Sequence, residues 1–164
     1  MKTHEIVWMI ILIAMMAFVF GTMIVPKAHA VSAETISDIV SAAQEAAELY
    51  DVPAELILAM IDVESGFNPD AENGKCIGLM QINTINLDWL NSEFERELDL
   101  YDINDNVRAG SYILAGYYHK YGINYALMAY SGGGNYARKL WAKGVRETRY
   151  VRSVLKSMKA FTCL

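Results

Sequence analysis

The stretch "PAELILAMIDVESGFNPD", residues 53–70, carries an oddity at its centre. Pro53 suits the first turn of a helix, where its missing N–H has no partner to lose, and an apolar run follows it. At about 100° per residue, Leu56, Ile57, Met60, Ile61 and Val63 share one broad arc, with Glu55 and Asp62 on the opposite side. Glu64 lies inside that apolar arc, four residues after Met60 and three after Ile61, where Ser65 and Gly66 end the helix. A carboxylate that continues a buried stripe loses part of its hydration, which disfavours the charged form and lifts its pKa above the ordinary value of about 4.3. Such a group can hold a proton near neutrality. The alternative is a glutamate at a fraying helix end that turns out to water.

Outward from this segment the pattern is helical almost throughout. "SAETISDIVSAAQEAAELYDV" places Ile36, Ile39, Val40, Ala43, Ala47 and Tyr50 at helical spacing, with Ser32 as cap and Glu34 in the first turn. It predicts a helix over residues 34–50. After Glu64, "SGFNPDAENGK" is turn chemistry, with Asn-Pro and Asn-Gly marking an irregular loop. "CIGLMQIN", residues 76–83, reads as a strand or a tight turn whose Gly78 lets something approach closely. "TINLDWLNSEF" is a short helix at best. "NDNVRAGSYILAGYYHKYG" starts at an Asp or Asn cap, stops at Gly122 and is expected to be central. "NYALMAYSGGGNYARKLWAKG" predicts two short helices broken over residues 131–134, and "RETRYVRSVLKSMKAF" a last amphipathic helix. No alternating β pattern of any length and no internal repeat is present.

The 164 residues suffice for one domain with a substantial core and are too few for two comfortable ones. Much of the 54% hydrophobic content sits in residues 6–25, an uncharged run between Lys2 and Pro26 that precedes the small residues of "AHA". Residues 1–30 therefore read as a signal peptide or, because the run is long enough to span a bilayer, an N-terminal membrane anchor. Either places the remainder, residues 31–164, outside the cytoplasm. Export permits a disulfide between Cys76 and Cys163, and two unpaired thiols are the alternative. His4, His29 and His119 are too scattered for a metal cluster, and no cofactor is expected. Net charge is −5 with basic residues gathered late, a solvated helical face or, as the alternative, a basic helix pair that meets an anionic polymer; no aromatic and basic interleaving suggests nucleic acid.

Three segments in one order, "ESGFNP" at 64–69, "IGLMQIN" at 77–83 and "ALMAYSGG" at 126–133, together with "ETRYV" at 147–151, resemble the soluble-type lytic transglycosylase (SLT) domain. The resemblance covers residues 36–155. "IGLMQIN" followed by "LDWL" is most similar to the small specialised members that accompany secretion and conjugation machines. It implies a mainly α, lysozyme-like α+β fold: one globular helical domain with a small irregular or β segment after the catalytic glutamate. It also implies a substrate, the glycan strand of peptidoglycan, and a reaction, cleavage of the MurNAc–GlcNAc β-1,4 bond with a 1,6-anhydro end.

The resemblance assigns Glu64 as the single catalytic acid and base, which suits a glutamate of raised pKa facing a leaving oxygen that must be protonated. In the family the substrate's own acetamido group is thought to stabilise the positive charge at C1, so that a partner aspartate can be absent. Asp70, Asp102 and Asp105 are the nearest other carboxylates, and none matches a family motif for a second acid. Ser65, Met80, Gln81, Asn83, Tyr130 and Tyr150 match positions that bind substrate or border the cleft, with Met80 as plain core and Ser65 as a helix breaker the alternatives. Tyr130 matches the tyrosine whose hydroxyl points at the catalytic carboxylate; Tyr150 and Glu147 match less firmly. The sequence departs from the family's pattern at Ser131, where asparagine is more frequent, and at Cys76, where a small residue is usual. Two rival functions remain: a goose-type lysozyme-like hydrolase, which needs a further carboxylate across the cleft, and a non-catalytic peptidoglycan-binding assembly protein.

Overall fold

In a computed structural model that describes residues 31–162, seven α-helices and a three-stranded sheet follow one another. α1 is Ala33–Tyr50, α2 Ala54–Ser65, β1 Glu72–Asn73, β2 Cys76–Ile77 and β3 Ile82–Asn83, followed by a 3-10 turn at Thr84–Asn86. α3 is Leu87–Phe94, α4 Ile103–Tyr121, α5 Ile123–Gly132, α6 Gly134–Ala142 and α7 Arg149–Thr162. This is the mainly α, lysozyme-like architecture that the resemblance implies, with the expected helices within about three residues of their places. The leader, residues 1–30, and Cys163, with the disulfide expectation, lie outside the described residues. Among the described residues no helix is long and apolar enough to cross a membrane.

The caps are legible in sequence. Ser32 Oγ accepts the Thr35 N–H at 3.1 Å at the head of α1, and Asp102 accepts the Asp105 N–H at 2.9 Å at the head of α4. Pro53 sits one position earlier than expected, as the N-cap of α2 in extended conformation, its carbonyl accepting from Leu56 and Ile57. The turn region differs from expectation more. "AENGKCI" is not irregular loop but an antiparallel hairpin, with Asn73 paired to Cys76 around a two-residue turn, and Ile77 pairs on to Ile82. Strands of two residues show no alternation to read, so only the Asn-Gly dipeptide signals them.

Two clusters of buried side chains share α4. The larger joins α1, α2, α5 and α7 through residues such as Ile39, Ile57, Met60, Leu127 and Val154, with Val107 and Leu114 from α4. The smaller holds Ile82, Leu90, Leu98, Leu100 and Ala109 beneath the sheet and α3. α4 is thus central, as its length and amphipathicity suggest.

Asn106 fixes the sheet loop to that helix. Its side chain, 1% exposed, accepts the Met80 N–H at 2.8 Å and donates to the carbonyls of Ile77 at 2.9 Å and Leu100 at 2.7 Å. The approach is close enough that a Cβ on Gly78, whose φ is +79°, would lie 2.1 Å from the Asn106 amide nitrogen and 2.3 Å from the Leu100 carbonyl oxygen. Gly110 likewise lets α4 pass under Met80, whose sulfur would be 2.5 Å from an added Cβ. The glycine in "IGLMQIN" is therefore explained by backbone contact with the rest of the fold, not with a ligand.

Replacing Asn106 by Leu strands a buried N–H and two carbonyls at once. The expected loss is about 3–5 kcal/mol in urea unfolding, and a variant within about 1 kcal/mol of wild type would show that water or rearrangement replaces these bonds.

Candidate active site

Glu64 occupies the last turn of α2, which closes at Gly66 with its N–H on the Asp62 carbonyl. The chain then turns through two successive residues of positive φ, Gly66 and Phe67. Phe67 tolerates this because its ring is buried edge-on against Phe161 of α7, centroids 6.3 Å apart. α7 packs against α2 along its length, and Ser157 donates to Asp62 at 2.6 Å. That packing brings the first turn of α7 to the last turn of α2.

There the Tyr150 hydroxyl donates to Glu64 Oε1 at 2.5 Å. Burial lifts the Glu64 carboxyl above the ordinary carboxylate range, and the bond from Tyr150 opposes part of the rise. Burial, the Glu64 charge and the shared hydrogen bond hold the Tyr150 phenol far above its ordinary range, so it remains a donor. Glu64 does not turn out to water.

Tyr130 takes a different place from the one the motif implies. Its hydroxyl donates to the Met80 carbonyl at 2.8 Å, across from α5 to the sheet loop, and the tyrosine bonded to the carboxylate is Tyr150. The reason is position: Met80 is pinned by Asn106 with its carbonyl facing α5, while Tyr150 projects from the helix that packs on α2. Burial and the charge on Glu64 still raise the Tyr130 phenol well above its ordinary range, which sets it in the same pocket.

Glu64, Tyr130 and Tyr150 line one cleft of about 1360 Å³, together with Gln81, Asn83, Cys76 and Ser131. Gln81 holds a positive φ of +50° and donates through Nε2 to the carbonyls of Ala71 and Gly78, both at 3.0 Å. Asn83 accepts from the Ile85 N–H, which opens the 3-10 turn. Two expected site residues stand back from the cleft. Met80 is fully buried core, and Ser65 returns its hydroxyl to the Ile61 carbonyl at 3.0 Å. Glu147 is an exposed neighbour of Arg152 at 3.8 Å.

The other carboxylates are elsewhere. Asp70 is exposed in the loop, Asp102 caps α4 and Asp105 pairs with Arg96. Among the described residues Asp51 is the one further acid that lines the cleft, at the left-handed C-cap of α1, with no hydrogen bond to Glu64 or its partners. Among the described residues no His, Cys, Asp and Glu grouping could hold a metal ion. Sequence reading missed the cleft's other wall: Tyr50, Trp89 and Tyr112 also line it. Their only signal was aromatic residues ending or facing across predicted helices.

The transglycosylase SLT domain family matches residues 41–150, more than half of the chain. The chain belongs to that family. Among solved structures it is similar to an inactive mutant of the lytic transglycosylase Slt from Pseudomonas aeruginosa, at 22% identity and a TM-score of 0.62 over 72% of this SLT-domain chain. That likeness is one of fold, and it spans 23% of the other chain's length. A comparison with curated proteins finds no match.

Two outcomes test the electrostatics of the SLT site. Tyr150→Phe should raise the Glu64 pKa further, read by carbon NMR of labelled carboxyls, whereas Tyr130→Phe should move it less; the reverse order would reject the assignment. Because folding raises the Glu64 pKa, the stability this carboxyl contributes is full below its unfolded value of about 4.3 and is lost as pH rises through the folded value. Glu64→Gln should match wild type in acid and exceed it in stability at neutral pH, and parallel urea profiles at both would contradict a buried carboxyl.

Proposed function

We propose that this SLT domain is a peptidoglycan lytic transglycosylase, cleaving the MurNAc–GlcNAc β-1,4 bond and leaving a 1,6-anhydro end, with Glu64 as the only general acid and base. The observation that carries the reading is a carboxyl of raised pKa in a cleft, held by a phenol, with no second carboxylate among the described residues bonded to it or to its partners. The protonated carboxyl gives its proton to the glycosidic oxygen as the bond to C1 breaks, which makes that oxygen a competent leaving group. The carboxylate then takes the proton from the C6 hydroxyl as its oxygen bonds C1, so the enzyme ends as it began. Two-carboxylate glycosidases place a second acid about 5–9.5 Å away. Here the attacking group belongs to the substrate, and its effective concentration favours it over water.

Gln81 and Asn83 border the sugar path, and Tyr150 orients the acid. On the same reading residues 31–164 act outside the cytoplasm on the glycan strands of the wall, after export directed by residues 1–30 or while anchored by them. Resemblance to the small specialised members adds a secretion or conjugation apparatus as a partner.

Glu64→Gln should keep the fold and glycan binding and lose nearly all turnover, since the amide matches the shape and cannot donate the proton. Digestion of sacculi in heavy-oxygen water should release unlabelled muropeptides, lighter by one water than hydrolytic products and without reducing ends. Labelled reducing ends as the main product would replace this reading by the lysozyme one, and an undigested sacculus would favour a binding protein.

A further inference from the structure

The cleft contains a second cluster that takes no part in moving the proton. Trp89 on α3 is 46% exposed and Ile85, one turn before it, 78% exposed, and both line the cleft. A single exposed apolar side chain is ordinary; this one is held in place. Glu93, one helical turn after Trp89, accepts the indole N–H at 3.1 Å with one oxygen and the Tyr112 hydroxyl at 2.7 Å with the other. The two rings lie 5.9 Å apart at 35°. Tyr112 is braced behind by Phe94 at 5.5 Å and Tyr50 at 5.8 Å. A carboxylate that bridges two aromatic residues on different helices fixes their faces before any ligand arrives, which lowers the ordering cost of binding.

We propose that Trp89 and Tyr112 form a stacking platform for an N-acetylated pyranose of the glycan strand, a subsite distinct from the bond-breaking site at Glu64. The C–H face of a pyranose is apolar and flat, so it covers an indole without leaving polar groups unpaired. The same cleft lining offers Asn86 to its hydroxyls and amide and the exposed Ile85 to its acetamido methyl. The cleft's concavity, shared with Glu64, favours a polymer lying along it over a flat protein partner. This inference rests on the glycan substrate of the proposed function but not on its chemistry.

The test uses the full chain carrying Glu64→Gln, titrated with peptide-free peptidoglycan glycan strands by calorimetry. Adding Trp89→Ala should weaken binding about tenfold, the scale of a buried aromatic contact, and Trp89→Phe should restore most of it. In the active protein Trp89→Ala should raise KM with kcat nearly unchanged, the signature of binding that substrate and transition state share. Unchanged affinity and KM in Trp89→Ala would overturn the platform and leave the lyase reading intact. Trp89-dependent binding by a wild type that never cleaves would uphold the platform and overturn the lyase reading. Failure of Glu64→Gln to bind glycan overturns the platform.

Discussion

The buried amide of Asn106 is the constraint from which the site's geometry follows. One side chain satisfies the Met80 N–H and two carbonyls, so the segment from Ile77 to Gln81 has one position relative to α4. With Met80 fixed, its carbonyl becomes the acceptor for Tyr130, and α5 is tied to the sheet loop at the cleft floor. The next residue, Gln81, is thereby forced into a left-handed conformation that no glycine relieves, and its side chain anchors back to Ala71 and Gly78. A polar core residue of this kind specifies a unique arrangement where an apolar one would allow sliding. The strain at Gln81 is tolerated because the surroundings over-determine it.

Phe67 is the second strained residue, and it does for α2 what Gln81 does for the loop. Gly66 ends the helix, and the chain leaves it sharply through a second residue of positive φ. Burying the Phe67 ring against Phe161 offsets a left-handed backbone and locks the exit direction. Phe67 and Phe161, with Asp62 and Ser157, thus hold α7 on the end of α2, where Glu64 faces Tyr150.

Much of this was legible in the residues. The helices follow from periodicity and caps, and Glu64 declared itself by standing in an apolar arc. What the motifs could not supply was which tyrosine meets the carboxylate. Tyr130 and Tyr150 are both aromatic residues close to helix boundaries, and the choice depends on where α7 crosses α2, which no local pattern encodes. Only the first strand of the hairpin, Glu72–Asn73, fell in the stretch read as irregular loop, because two residues show no alternation; the other two lie in the segment read as a strand or tight turn. The Trp89 and Tyr112 platform escaped because it joins α3 to α4 through a glutamate whose i, i+4 relation to Trp89 looks like any solvated helix face. Gly78 was read for close approach, correctly, but the partner is Asn106.

The chemistry available to this cleft is narrowed by its phenols as much as by its acid. Burial and the charge on Glu64 raise the Tyr130 and Tyr150 phenols well above their ordinary range, which keeps each a hydrogen-bond donor. Asp51 remains at the C-cap of an exposed helix end, outside the hydrogen bonds that join Glu64, Tyr150 and Tyr130 to their neighbours. One group in that set can therefore pass between protonated and charged states, as the proposed single acid and base requires. A neutral donor on Glu64 suits such a cycle. It steadies the carboxylate after the first transfer without making the acid so strong that the proton cannot be held before it.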